Sequence, residues 1–161
     1  MCQLMKNCRL HETRKLKMND LKEIFGECIS VYTRAQAIED GVLVDVSETA
    51  SEAGFKWPVA VTRAVYDRYV EVPEELEGQQ DIQGRGWDLV YMLWVNIRNG
   101  KINGGCGNYT LLVRMPETEA WQDNERREPE SHGLRLVTLK AVSGPDDNGD
   151  PVITVMLPRE D

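Results

Sequence analysis

Residues 32–72 read YTRAQAIEDGVLVDVSETASEAGFKWPVAVTRAVYDRYVEV, and the order of local signals in this run decides the fold. Thr33 followed by Gln36 is a capping box, in which the hydroxyl accepts from a first-turn N–H and the amide reaches back, so a short helix starts here. Asp40-Gly41 closes it, because glycine takes the left-handed conformation without a Cβ penalty. Val42, Val44 and Val46 then alternate with Leu43 and Asp45 as a short strand, and Ser47 is placed to cap a helical turn from Glu48 to Ala53 that Gly54 ends. Pro58 at a first helical position loses no intrahelical bond, and Val61, Ala64, Val65 and Tyr69 share one face, with Arg63 and Asp67 as an i,i+4 pair elsewhere. The reading is a helix over 58–70. The β-branched residues Val59, Val61, Val65 and Val70 keep a strand reading of the same letters open.

Working outward, Asn19 precedes Leu21, Ile24, Phe25 and Cys28 at helical spacing, which predicts a helix over about 20–31. Residues 1–17 lack periodicity and carry five basic residues against one acidic, a net +4; the chain totals −8, so residues 18–161 carry −12. We therefore expect a flexible basic extension over 1–17 and a single α+β domain over 18–161. Beyond the opening block, residues 71–83 are polar, acidic and interrupted by Pro73 and Gly78, a surface connection. RGWDLVYMLWVNIRN, residues 85–99, is the most apolar stretch and predicts a buried central helix. Trp87, Val90, Leu93, Trp94 and Ile97 fall on its core face, and Arg85, Asp88, Met92, Asn96 and Asn99 on a solvent stripe. Tyr109–Met115 alternates as a strand, 116–133 is a long polar loop, and 134–142 and 152–157 alternate around the turn signal SGPDDNGDP. The expected architecture is N-terminal helices packed on a C-terminal antiparallel sheet, a meander with a hairpin.

The run YTRAQAIEDGVLVDVSETASEAGFKWPVAVTRAV, residues 32–65, resembles a family of small, functionally uncharacterised bacterial proteins encountered mostly on plasmids, prophages and integrative elements; the similarity weakens through the helix at Trp87. The resemblance implies a mobile genetic element in a bacterial cytoplasm as context. It carries over no catalytic or binding residue.

A composition of 41% hydrophobic and 29% charged residues is that of a globular chain, and no apolar run is long enough for a membrane span or a signal peptide, which points to the cytoplasm. Cys2, Cys8, Cys28 and Cys106 form no C-x-x-C pair, and His11 and His132 are the only histidines, so neither a zinc site nor a histidine triad has support; no metal or cofactor is expected. Asp146, Asn148 and Asp150 mimic the start of a calcium loop, but Pro151 and Leu157 stand where glycine and glutamate are needed, and a hairpin turn explains the residues better. Gly104, Gly105 and Gly107 precede a strand, where a phosphate loop needs a helix.

The strongly acidic body disfavours direct nucleic-acid binding and favours a basic protein partner. The expected function is that of a non-enzymatic acidic interaction protein of a mobile element, an inhibitor of a bacterial defence nuclease complex (anti-CRISPR or anti-restriction) that mimics DNA charge. Its binding residues are Glu71, Glu74, Glu75, Glu77 and Asp81 in one loop and Glu117, Glu119, Asp123 and Glu125 in another, both read as exposed. The alternative is a small enzyme or ligand binder with a site near Cys106, with His132 as the base, or near the strand-end carboxylates Asp45, Glu48 and Glu52. Deletion of residues 1–17 is expected to leave cooperative thermal unfolding intact; a broad melt of the truncated chain would place them in the folded unit instead.

Overall fold

The computed structural model describes residues 32–129 and 133–160; the expected extension over 1–17, the helix over 20–31 and His132 lie outside them. The capping box forms as the sequence demands. Gln36 N–H donates to the Thr33 hydroxyl at 3.2 Å and Thr33 N–H to the Gln36 amide oxygen at 2.9 Å, opening α1, Arg34–Glu39. Strand β1, Leu43–Asp45, and helix α2, Ser47–Ala53, follow, and Gly54 closes α2 at φ 103. That glycine meets a second demand: a Cβ there would lie 3.2 Å from Trp94 Nε1. Ser47 does not cap α2. Its hydroxyl accepts from Val59 N–H at 3.1 Å and donates to the Asp45 carboxylate, tying the end of β1 to the next strand.

The helix expected over 58–70 is corrected. Residues Val59–Thr62 form strand β2, a helical turn Arg63–Val65 follows as α3, and a π turn Tyr66–Val70 continues it. Val59, Ala60 and Val61 are fully buried because β2 is an interior strand, antiparallel to β1 and parallel to the C-terminal strand β6, Pro151–Met156. A β-branched run covered on both faces has no polar alternation to reveal it, and the pairing partner lies some ninety positions away along the chain.

The remaining strands are β3, Cys106–Arg114; β4, Glu125–Arg127; and β5, Leu134–Pro145. Their order, β1-β2-β6-β5-β3 with β4 also on β5, makes the sheet mixed, which corrects the purely antiparallel sheet expected from the C-terminal strands alone. The protein remains α+β. Strand β5 is the hub: β3 runs along one side for its whole length, while β4 pairs with residues 135–137 and β6 with 140–145 on the other. Asn124 fills the gap between β4 and β6, its C=O accepting from Thr138 N–H at 2.8 Å and its amide donating to Thr138 C=O at 3.1 Å.

Helix α4, Ile82–Arg98, starts at Asp81, whose carboxylate accepts from Gly84 N–H at 2.7 Å. It packs on the sheet through Leu89, Val90 and Leu93, against Val59, Val61, Val137, Leu139 and Val155. The expected solvent stripe is corrected: Arg85 and Asn96 are buried, while Tyr91 and Ile97 are exposed and Trp87 and Trp94 half-buried. Trp87, Tyr91 and Trp94 stack on one another along the outer side, with centroids 5.8 and 5.9 Å apart, and Arg98 lies over Trp94. Apolar residues cover most of the helix circumference, aromatic on one part and aliphatic on another, and the positions nearest the sheet went to the smaller aliphatic residues. Ile153 and Val155 of β6 face α4; Thr154 therefore faces the opposite side, and Arg34 Nη1 donates to its hydroxyl at 2.8 Å, placing α1 there.

The turn 146–150 is a hairpin. Asp146 accepts from the N–H groups of Asn148 and Asp150, both at 2.8 Å, which with the charge of Arg34 holds its carboxyl below the usual range. Asp147 accepts from Arg34 and Ala35 N–H at 2.9 and 3.1 Å, so the turn supplies a carboxylate to the N-terminus of α1. Leu93→Ala is expected to cost about 2–5 kcal/mol, as for a packed interior. Tyr91→Ala, on the outer side of the same helix, should stay below about 1 kcal/mol. Urea unfolding of both variants checks the helix orientation, which is wrong if their order is reversed.

Candidate functional site

Strand alternation puts Arg135 in phase with the buried residues Val137, Leu139 and Ala141, and a charge in that phase needs a buried partner. The partner is Glu125. Its side chain is fully buried; Oε2 accepts from Arg135 Nη1 at 2.7 Å and Oε1 from Arg68 Nε at 2.7 Å. The Tyr69 hydroxyl donates to Oε1 at 2.9 Å, and Gln122 N–H donates to Oε2 at 3.2 Å. Burial alone pushes the Glu125 carboxyl up, but the bonds from Arg68 and Arg135, then those from Gln122 and Tyr69, outweigh it and hold the group below the ordinary carboxylate value. Burial also drives the Tyr69 phenol up to about 12.

The two arginines use their other donors to hold the preceding loop. Arg135 reaches the carbonyls of Pro116 at 2.9 Å, Glu119 at 2.6 Å and Ala120 at 3.1 Å, and its guanidinium lies 4.2 Å from the Trp121 ring centroid. Arg68 reaches the Glu119 carboxylate at 2.8 Å and the Ala120 carbonyl at 2.7 Å. Arg85, expected on the solvent stripe of the helix, is instead buried. It donates to the carbonyls of Tyr69 and Arg114, to Gln80, and to the Met115 sulfur, and desolvation lowers its pKa.

The clamped loop carries the second acidic run to the first. Thr118 donates to the Glu75 carboxylate at 3.2 Å, and Glu71, Glu75 and Glu119 with Asp67 rim a hollow of about 310 Å³ floored by Pro73, Pro116 and Arg68. An adjoining hollow shares Glu71 and adds Glu77 and Asp81. Glu74 is exposed on a single 3-10 turn, Glu74–Leu76, outside both. The other three members of the expected set are elsewhere. Glu117 lines a hollow with Trp121 and Arg127, Asp123 pairs with Arg159 at 2.6 Å, and Glu125 is no surface residue at all. The expectation that both runs lie exposed is corrected at Glu125, and at Glu119, which is half-buried and paired with Arg68. A lone acid letter in a polar loop does not distinguish a solvated carboxylate from one closed over by arginines; the signal that was present is Arg135 in the core phase of β5.

The alternative sites hold local roles. Asp45 accepts from Ser47 N–H at 2.9 Å, and Glu48 and Glu52 are exposed. Cys106 is the exposed first residue of β3. Gly104 and Gly105 turn the chain at φ 73 and 86, and Ser143 N–H donates to Gly105 C=O at 2.7 Å. Among the described residues no cluster of three metal-ligating side chains occurs, and no helix is long and apolar enough to cross a membrane.

These features define a small α+β protein with a mixed sheet, a buried ion network and a carboxylate-rimmed face. The chain belongs to a family of unknown function (DUF6573), whose model matches residues 18–161. No curated protein and no solved structure matches it.

Glu125→Ala is expected to cost about 3–5 kcal/mol, since it takes the carboxylate from the buried Arg135 guanidinium and leaves half-buried Arg68 with Glu119 alone. Because the folded pKa of Glu125 is depressed, its contribution is present above the unfolded value of about 4.3 and is lost as pH falls through the lower folded value. Glu125→Gln should therefore be less stable at neutral pH and show a shallower acid limb in denaturant midpoints measured from neutrality downward. Parallel limbs for wild type and variant would contradict the network.

Proposed function

We propose that this protein is a non-enzymatic binding module that presents its carboxylate-rimmed face to a basic protein partner. The observation that carries the reading is that Glu71 and Glu75 share one hollow with Glu119, with Glu77 and Asp81 in the hollow beside it. Carboxylates converging on a concave surface sum their potentials, raise the encounter rate with a basic surface and reject acidic ones. The prolines at the floor and the arginine clamp fix the spacing of these groups before a partner arrives, which lowers the ordering cost of binding.

In its finer form the proposal places the protein in a bacterial cytoplasm, encoded on a mobile genetic element. There it occupies the basic groove through which a restriction or RNA-guided defence complex holds DNA, blocking that groove by charge mimicry without chemistry. The net charge of −8 supports this form, as does the resemblance of residues 32–65 to proteins of such elements.

The test is plasmid or phage survival in cells with an active defence system, with and without the protein. A second arm uses a variant carrying Glu71→Gln, Glu75→Gln, Glu77→Gln and Asp81→Asn; asparagine at 81 retains the helix cap while removing the charge. Protection is expected from the wild type and loss of protection from the variant, with in vitro binding that weakens as salt rises. Absence of protection across a panel of restriction and RNA-guided systems overturns the defence-inhibitor form, and protection unaffected by the variant removes this face from the function.

A further inference from the structure

Among the described residues strand β3 ends the sheet, and no strand pairs with its outer edge. Ser143 N–H bonds Gly105 C=O at 2.7 Å and Met115 N–H bonds Gly133 C=O at 3.2 Å, one step beyond either end of the β3·β5 register. In an antiparallel ladder bonded pairs alternate, so the odd-numbered residues of β3 face β5 and the even-numbered ones turn their N–H and C=O groups outward. The Arg114 carbonyl confirms the parity, because it accepts from Arg85 at 2.8 Å on the outer side. The outward groups of Asn108, Thr110 and Leu112 make no hydrogen bond among the described residues, and their side chains are exposed.

Soluble proteins blunt such an edge with proline, a bulge, or a charge in mid-strand. CGNYTLLVR has none of these; its one charge, Arg114, is at the end, and its register with β5 is unbroken over nine residues. We propose that β3 is an isologous dimer interface, on which a second copy of this chain pairs its own β3 antiparallel to make one continuous sheet. This reading does not rest on the role of the acidic face.

The sequence of the strand favours a second copy as the occupant. The outward groups make Thr110 a bonded pair with its own counterpart, a favourable cross-strand match, and set Asn108 opposite the second copy's Leu112. The two Arg114 side chains then fall at opposite ends, so no like charges face each other. Residues 89–116 contain no Asp or Glu, the longest such run in a chain with 27 acidic residues, so each copy offers its least acidic margin to the other. The buried odd-numbered side chains Tyr109, Leu111 and Val113 extend the core face across the junction.

Sedimentation equilibrium of the full chain from about 1 µM to about 1 mM should show a monomer–dimer equilibrium. Thr110→Pro removes the outward N–H of the central pair on both strands, and Thr110→Lys sets two ammonium groups opposite each other; each should weaken dimerisation about tenfold or more. The site is exposed, so the Thr110→Lys variant keeps the wild-type thermal midpoint of the monomer and decides the matter if proline disturbs the strand. Hydrogen exchange supplies an independent readout. The amides of Asn108, Thr110 and Leu112 should slow with rising concentration while that of Leu111, bonded to β5 in either state, does not change. A monomer over the whole range overturns the proposal, as does a dimer indifferent to both substitutions or one in which the three amides exchange at the monomer rate.

Discussion

The Glu125 carboxylate held between Arg68 and Arg135 is the constraint on which the loop between β3 and β4, and the acidic face it carries, depend. Removing three charges from water costs several kcal/mol per ion, and attraction alone repays this only when the remaining lone pairs and protons also find partners. Here they do: both Glu125 oxygens carry two donors, and the spare guanidinium protons end on loop carbonyls. No buried side-chain nitrogen or oxygen among the described residues lacks a partner. The network thus fixes the loop between β3 and β4 in one position, and with it the distance of Glu119 from Glu71 and Glu75.

The same geometry explains the π turn. Arg68 and Tyr69 both have to reach the Glu125 side chain from adjacent positions, and Arg85 takes the Tyr69 carbonyl from the other side. The wider turn at Tyr66–Val70 is where the helical ladder yields to that demand, as π turns do where side chains have special work. Arg85 is buried without a carboxylate ligand; carbonyls of Tyr69 and Arg114 solvate it, so it joins the π turn, the helix and the end of β3. Structure and surface are coupled in this way: Glu119 of the acidic face is held by the same Arg68 that binds the buried Glu125.

The sheet is organised by a different constraint. Strand β5 is long enough to be shared, and the gap between β4 and β6 along its flank is closed by Asn124, whose amide substitutes for a strand backbone. β6 reaches past β5 to take β2 in parallel, which draws the N-terminal block into the same sheet. Helix α4 then covers the face that β2, β6, β5 and β3 share, leaving the Trp87, Tyr91 and Trp94 ladder on the outer side.

What the sequence determined by itself was local: the capping box at Thr33, the glycine stops at 41 and 54, the alternation of β3, β5 and β6, and the hairpin at 146–150. Each rests on interactions within a few residues. The α+β class was legible for the same reason. Tertiary structure alone decided that 59–62 is a strand, because its letters serve helix or strand equally and only β6 supplies the missing hydrogen bonds. It alone oriented α4, whose aliphatic and aromatic residues are equally apolar candidates for the sheet side. It also divided the nine carboxylates of the two acidic runs, burying Glu125 and gathering Glu71, Glu75 and Glu119, since the sign of a charge is written in the sequence but its solvent and its neighbours are not.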